Sequence, residues 1–308
     1  MTDTSAHTTH TDLVSDGWID RRMPTWTRPY LKLARLDRPT GIWLLLLPCW
    51  WSIALASPSA ATGIGMTVLF TIGAIVMRGA GCTVNDILDR DIDAQVERTR
   101  GRPLPSGQVG LLGALVFLAL QLAVGLVILI QLSRLTIGLG VASLVLVGAY
   151  PLMKRITWWP QAFLGLTFNW GAIMGWSAVT GHIGVGAILL YAGGFCWTMI
   201  YDTIYAHQDS RDDAEAGVKS TARRFGRFSR LWLFGFAAAM LILVDLAGDV
   251  TGLHSAFQFM QIPIAAHLIW LLALWDVDDP RDCLRRFQAS RWTGLLVVAA
   301  IVVGRLFG

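Results

Sequence analysis

The chain has 308 residues, 54% of them hydrophobic and only 15% charged, with a formal net charge of +4. About a quarter of an ordinary soluble domain is charged, so this composition excludes one. The basic residues fall where membrane topology puts them, which excludes nucleic acid as the partner and leaves membrane lipid.

Residues 1–40 are polar and contain no apolar h-region, so no cleavable signal peptide is expected. Residues 1–35 read as a polar cytoplasmic arm, and 36–308 as a single transmembrane domain. Apolar stretches near 41–58, 63–84, 110–130, 134–152, 161–180, 184–204, 230–248, 256–276 and 292–307 predict about nine spans. A spanning segment must satisfy its own backbone hydrogen bonds, and the short alternating strands of a barrel are missing, so the expected class is all-α. Of the 25 Lys and Arg, 22 lie in the arm and in loops 85–109, 153–160, 205–230 and 277–291. That bias predicts a cytoplasmic N-terminus, with the longest and most charged loops on the same side. The scattered Cys49, Cys82, Cys196 and Cys283 form no CxxC pair and read as small hydrophobes.

After the second span comes Asn85-Asp86-Ile-Leu-Asp89-Arg90-Asp91-Ile-Asp93. On a helix, Asn85, Asp89 and Asp93 share one face, and Asp86 joins them at i, i+3, i+7. Like charges crowded in this way repel unless a cation neutralises them. A hard divalent ion such as Mg²⁺ suits the oxygens and binds through one or two carboxylates plus substrate phosphates. After the sixth span, Asp202, Tyr205, Asp209 and Asp213 follow i, i+3, i+7, i+11 spacing. Asp89 and Asp209 are 120 residues apart, as are Asp93 and Asp213. The repetition predicts two helix ends that clamp a metal-bound diphosphate. Taken alone, either motif is equally well a solvated acidic loop.

Diphosphate also needs cations, and Arg pairs with phosphate in bidentate fashion. The expected partners are Arg102 after the first motif, Lys219 after the second, and Lys154 and Arg155 at the end of the fourth span. Arg78 lies inside the second span, seven residues before Asn85 and on the same face. A charge at that depth is costly and is expected to face a cavity or a partner. The 14 Trp and 13 Phe divide between an interfacial belt and aromatic faces for a cation. A transporter would set its charges near the bilayer midplane rather than at span ends.

The two motifs, in the forms NDxxDxxxD and DxxYAxxDxxxD, resemble those of the UbiA superfamily of intramembrane prenyltransferases. Further stretches are similar to its bacterial 4-hydroxybenzoate branch. They are Leu36-Asp-Arg38-Pro-Thr-Gly41-Ile-Trp43, Arg98–Gly107, Lys154-Arg155-Ile-Thr-Trp-Trp-Pro160-Gln161, Asn169-Trp170-Gly171, Gly175-Trp176, Tyr201–Asp209 and Asp282-Cys283-Leu-Arg-Arg-Phe287. The family usually carries Asn where this chain has Ser290.

The resemblance implies nine helices around a central cavity and an active site on the cytoplasmic side of a bacterial inner membrane. It also implies transfer of a polyprenyl chain from its diphosphate to the ring of 4-hydroxybenzoate, in ubiquinone biosynthesis. Asp89, Asp93, Asp209, Asp213 and Arg155 would be catalytic. Mg²⁺ ligands would come from Asn85, Asp86, Asp89, Asp93, Asp202, Asp209 and Asp213. Arg102, Lys154, Tyr205 and Lys219 would bind substrate, with Arg38 or Arg78 taking the acceptor carboxylate. Sister enzymes acting on haem, chlorophyllide or naphthoate would share both motifs.

Overall fold

The structure is a computed structural model that describes residues 16–97, 99–210, 219–253 and 255–307. The described residues are helical and contain no strand. Short helices α1 (Trp18–Arg22) and α2 (Arg28–Leu33) precede α3 (Thr40–Ala56), α4 (Ala60–Leu88), α5 (Arg90–Asp93), α6 (Leu111–Leu129) and α7 (Arg134–Ile156). Then come α8 (Pro160–Phe168), α9 (Trp170–Thr180), α10 (Val185–His207), α11 (Thr221–Phe225) and a 3₁₀ turn (Gly226–Phe228). Helices α12 (Ser229–Asp249), α13 (Ser255–Phe259), α14 (Gln261–Ala273) and α15 (Pro280–Leu306) complete the chain.

Each of the nine expected apolar segments falls on helix, but six helical stretches among the described residues are long and apolar enough to cross a membrane. Two further apolar helices are Thr40–Ala56, of 17 residues, and α7, of 23 residues. The segment at 161–180 is broken in two at Asn169, whose side-chain amide donates to the Gly165 carbonyl and the Thr198 hydroxyl, each at 2.8 Å. The last segment belongs to a helix that starts earlier, where Asp279 caps the Arg281 amide ahead of Pro280.

The chain folds as two compact units. The first combines the described residues up to Ile42 with Ile72–Ile128, and the second combines Trp43–Thr71 with the described residues from Leu129 onward. In the first unit, Leu33, Leu104, Val109 and Ala114 form a small core against Tyr30, Ile87 and Phe117. Helix α6 buries only Ala114 and Gln121 there, and its exposed Leu112, Leu120 and Leu126 suit contact with lipid. Apolar tails do not drive two apolar helices together, so small and polar residues must do it. Thr83 on α4 donates to Gln121 at 3.1 Å, and Gly79 lies so close to Gln121 that an added Cβ would meet its amide nitrogen at 2.6 Å.

In the second unit α10 is central, packed by α8, α9, α12 and α15. Its core includes the fully buried Trp51, Trp197 and Trp275. The turn between α14 and α15 is closed by Arg286, which is 2% exposed. Its guanidinium bonds Asp282, donates to the carbonyls of Trp270 at 2.8 Å and Leu274 at 2.7 Å, and stacks over the Trp270 ring. Ser290, at the family's Asn position, bonds the Arg286 carbonyl and belongs to this structural corner.

Removing one member of a buried ion pair leaves an uncompensated charge, at a cost of about 3–5 kcal/mol. Arg286→Ala is therefore expected to lower the melting temperature of the detergent-solubilised protein sharply. The exposed Arg281→Ala should leave it nearly unchanged. Equal melting of the two variants would contradict this role for Arg286.

Candidate active site

Helix α4 ends at Leu88, and the chain bends at Asp89 before α5. The bend interrupts the expected continuous helix, yet the hydrogen-bond register survives it. The Asp89 amide bonds the Asn85 carbonyl at 2.9 Å, and the Asp93 amide bonds the Asp89 carbonyl at 2.7 Å. Asn85 and Asp89 are exposed, whereas Asp86 and Asp93 are buried.

The buried pair is held by arginine. Arg35 reaches Asp86 at 2.6 Å, and Arg102 bridges Asp93 at 2.7 Å and Asp86 at 3.5 Å. Asp86 is 1% exposed, and carboxylates so far from water need such partners. Two backbone features fix the partners. Arg35 adopts φ 57°, left-handed for a residue with a side chain, a conformation that costs about 1 kcal/mol or more. The Thr99 hydroxyl donates to the Asp93 carbonyl at 2.9 Å and ties the loop that carries Arg102 to α5.

Sequence reasoning singled out Arg102 but missed Arg35. The signal for Arg35 was faint, because a lone Arg before the Leu36-Asp-Arg38-Pro run reads as one more positive-inside charge. Arg38, a candidate for the acceptor carboxylate, contacts its neighbour Asp37 at 3.2 Å.

Arg78, the other candidate, lies on α4 against Gly41. A Cβ added at Gly41 would approach the Arg78 Nε to 2.8 Å, so the absent side chain is what lets the guanidinium lie there. The Arg78 Nη1 also contacts the Cys82 sulfur one turn on, at 2.8 Å.

The second motif belongs to the second unit. Asp202 and Tyr205 lie on α10, and Asp209 follows its end. An aromatic column runs up to them. Trp51 contacts Trp197 at 5.2 Å, Trp197 contacts Tyr201 at 5.1 Å, and Phe287 sits 6.0 Å from Tyr201 and 4.6 Å from Tyr205. Phe287 was legible only as part of the C-terminal likeness, and contact with Tyr205 ties it to the motif. Lys219 donates to the carbonyl of Ile156 at 3.2 Å, at the end of the helix that carries Lys154 and Arg155. Asp213 and the side chains of Lys154 and Arg155 lie outside the described residues.

Among the described residues, no group of three or more His, Cys, Asp or Glu converges as a ready-made metal cage. The accessible oxygens of Asn85 and Asp89 are nonetheless the hard donors that Mg²⁺ takes, and this ion usually completes its shell with substrate phosphates. The residues present fit such an ion.

Comparison with known proteins identifies the family. Residues 45–301 match the model of the UbiA prenyltransferase family. The mitochondrial 4-hydroxybenzoate polyprenyltransferase of Arabidopsis thaliana is 49% identical, over 94% of this chain and 72% of its own. The Homo sapiens protein of the same name is 48% identical, over 92% of this chain and 77% of its own. Among solved structures, the apo UbiA homologue from Aeropyrum pernix K1 superposes with a TM-score of 0.69 at 23% identity, covering 85% of this chain and 97% of that one. A UbiA homologue from Archaeoglobus fulgidus bound to GPP and Mg²⁺ matches with a TM-score of 0.63 at 18% identity, covering 89% and 100%. An all-helical membrane chain with this match along most of its length belongs to the UbiA prenyltransferase family.

Proposed function

We propose that this integral membrane protein transfers a polyprenyl chain from polyprenyl diphosphate to the ring carbon ortho to the hydroxyl of 4-hydroxybenzoate, releasing diphosphate, in ubiquinone biosynthesis. One observation carries the chemistry. Arginine ties up Asp86 and Asp93, while the oxygens of Asn85 and Asp89 stay accessible at the end of a membrane helix. The acceptor is supported by relatives of 48–49% identity that are named for it. The charge bias favours a cytoplasmic site, and the bacterial likeness of the flanking stretches favours an inner membrane, whereas those relatives are mitochondrial.

Asn85 and Asp89 of the first motif and Asp202, Asp209 and Asp213 of the second would hold the Mg²⁺ that serves the diphosphate, while Asp93, expected in the same set, is taken by Arg102. A bound UbiA homologue of this fold supports divalent metal use. When bound, the ion neutralises charge on the leaving group. Asp86, locked between Arg35 and Arg102, is assigned to holding those arginines rather than to a metal. Arg102, Lys154, Arg155 and Lys219 add positive charge where the diphosphate departs, which is where electrostatic catalysis acts.

The allylic carbon–oxygen bond breaks, diphosphate takes the electron pair, and an allylic cation remains. The π faces of Tyr205, Phe287 and Tyr201 stabilise it, and exclusion of water protects it. The electron-rich ring carbon attacks, and loss of its proton restores aromaticity. Arg78 holds the acceptor carboxylate, with Gly41 giving the guanidinium room.

Asp89→Ala and Asp209→Ala should each lower turnover by about a thousandfold or more, with the chain still in the membrane. Near-normal turnover in either variant would remove these residues from the mechanism. Arg78→Ala should raise KM for 4-hydroxybenzoate by about tenfold or more, since a hydrogen bond to a charged group is worth about 1.5–3 kcal/mol. Gly41→Ala should move the same constant in the same direction, because the added methyl displaces the guanidinium. If both variants instead raise KM for the prenyl diphosphate alone, Arg78 serves the donor and this assignment fails.

A further inference from the structure

A cavity of about 980 Å³ lies in the second unit, where the 3₁₀ turn leads into α12. Arg223, Arg227 and Arg230 line it together with Phe228, Leu231 and Phe234, and Asp278 is the one acid among its described lining residues. Among the described lining residues the guanidiniums outnumber the carboxylate. The apolar members continue along the first turns of a helix long and apolar enough to cross the membrane. Phe228 and Leu231 are 51% and 70% exposed there, so the apolar side opens laterally where lipid chains lie. The arginines are held in fixed poses. Arg223 lies 5.3 Å over the Trp158 ring, Arg227 lies 4.8 Å over Phe228, and Arg230 donates to the Trp275 carbonyl.

The cavity is lined by Ser210, next to Asp209, and by one α10 residue, His207, which bonds the Ser229 hydroxyl at 2.9 Å and packs on Trp275. His207 follows Tyr205 by two residues, about 200° round the helix from the face that carries Asp202 and Tyr205.

We propose that this cavity binds an anionic phospholipid, its phosphate held by Arg223, Arg227 and Arg230 and its acyl chains laid along Phe228, Leu231 and Phe234. The match is one of charge and of position. Arginine pairs with phosphate oxygens through its planar fork, and basic pockets among membrane helices suit anionic headgroups. A soluble anion would have no use for the apolar half of the lining. A zwitterionic lipid would bring its own cation against the guanidiniums.

The full-length protein, in mixed micelles holding equal amounts of phosphatidylglycerol and phosphatidylcholine, tests this by native mass spectrometry. Wild type should retain phosphatidylglycerol in preference, and R227Q/R230Q should lose that preference by about tenfold or more. R285Q, altered at an exposed arginine outside the cavity, should behave as wild type. Equal retention of both lipids by wild type, or an unchanged preference in the double variant, would overturn the proposal. So would complete displacement of the lipid by inorganic phosphate or diphosphate, which would make the cavity a site for soluble anions. Phosphatidylglycerol with a photoactivatable acyl chain checks the wild type without any variant. Its crosslinks should fall within residues 226–234, and crosslinks confined to other helices would equally overturn the assignment.

Discussion

The first unit depends on how it tolerates two buried carboxylates at the end of a membrane helix. Asp86 and Asp93 sit where water is scarce, and left alone each would make the fold expensive. Arg102 answers both, and Arg35 answers Asp86 from a strained backbone position that only a firm partner makes tolerable. The network fixes three things together. It anchors the segment before α3, folds the loop after α5 back onto α4, and leaves Asn85 and Asp89 as the oxygens facing outward. A motif that looks in sequence like one row of equivalent acids is thus divided into structural members and accessible ones.

That division could not be read from sequence. The i, i+4, i+8 spacing survives in the backbone hydrogen bonds, but spacing does not say which carboxylate an arginine will take. Arg35 and Asp86 are 51 residues apart, and only tertiary structure brings them together. The helical class was legible because apolar length and backbone hydrogen bonding leave a membrane chain few options. The number of spanning helices was less so. Asn169, with its amide turned to Gly165 and Thr198, divides a stretch whose composition reads as continuous. Arg78 was visible as a charge out of place, but the reason it can lie flat was hidden in Gly41, 37 residues earlier and conspicuous only as part of a family-like run.

The second unit solves a different problem. Its core is built on aromatic side chains, and the column from Trp51 through Trp197 and Tyr201 to Phe287 and Tyr205 links that core to the second acidic motif. Such rings are rigid and apolar and carry a negative face, so one set of residues can support packing and face a carbocation. This explains why a chain with 14 Trp does not spend them all at the membrane interface. The corner at Asp282 and Arg286 uses the same logic of charge paired in a dry place, but to hold two helices rather than a substrate.

The central claim is that these elements serve aromatic prenylation, and the most direct measurement follows label. Membranes containing the protein would be given polyprenyl diphosphate and ring-labelled 4-hydroxybenzoate, with Mg²⁺ or with excess chelator. The account predicts label in a lipid-soluble product with Mg²⁺, none with chelator, and recovery when Mg²⁺ is restored. Label that never leaves the aqueous phase, from protein that is folded and in the membrane, would contradict it.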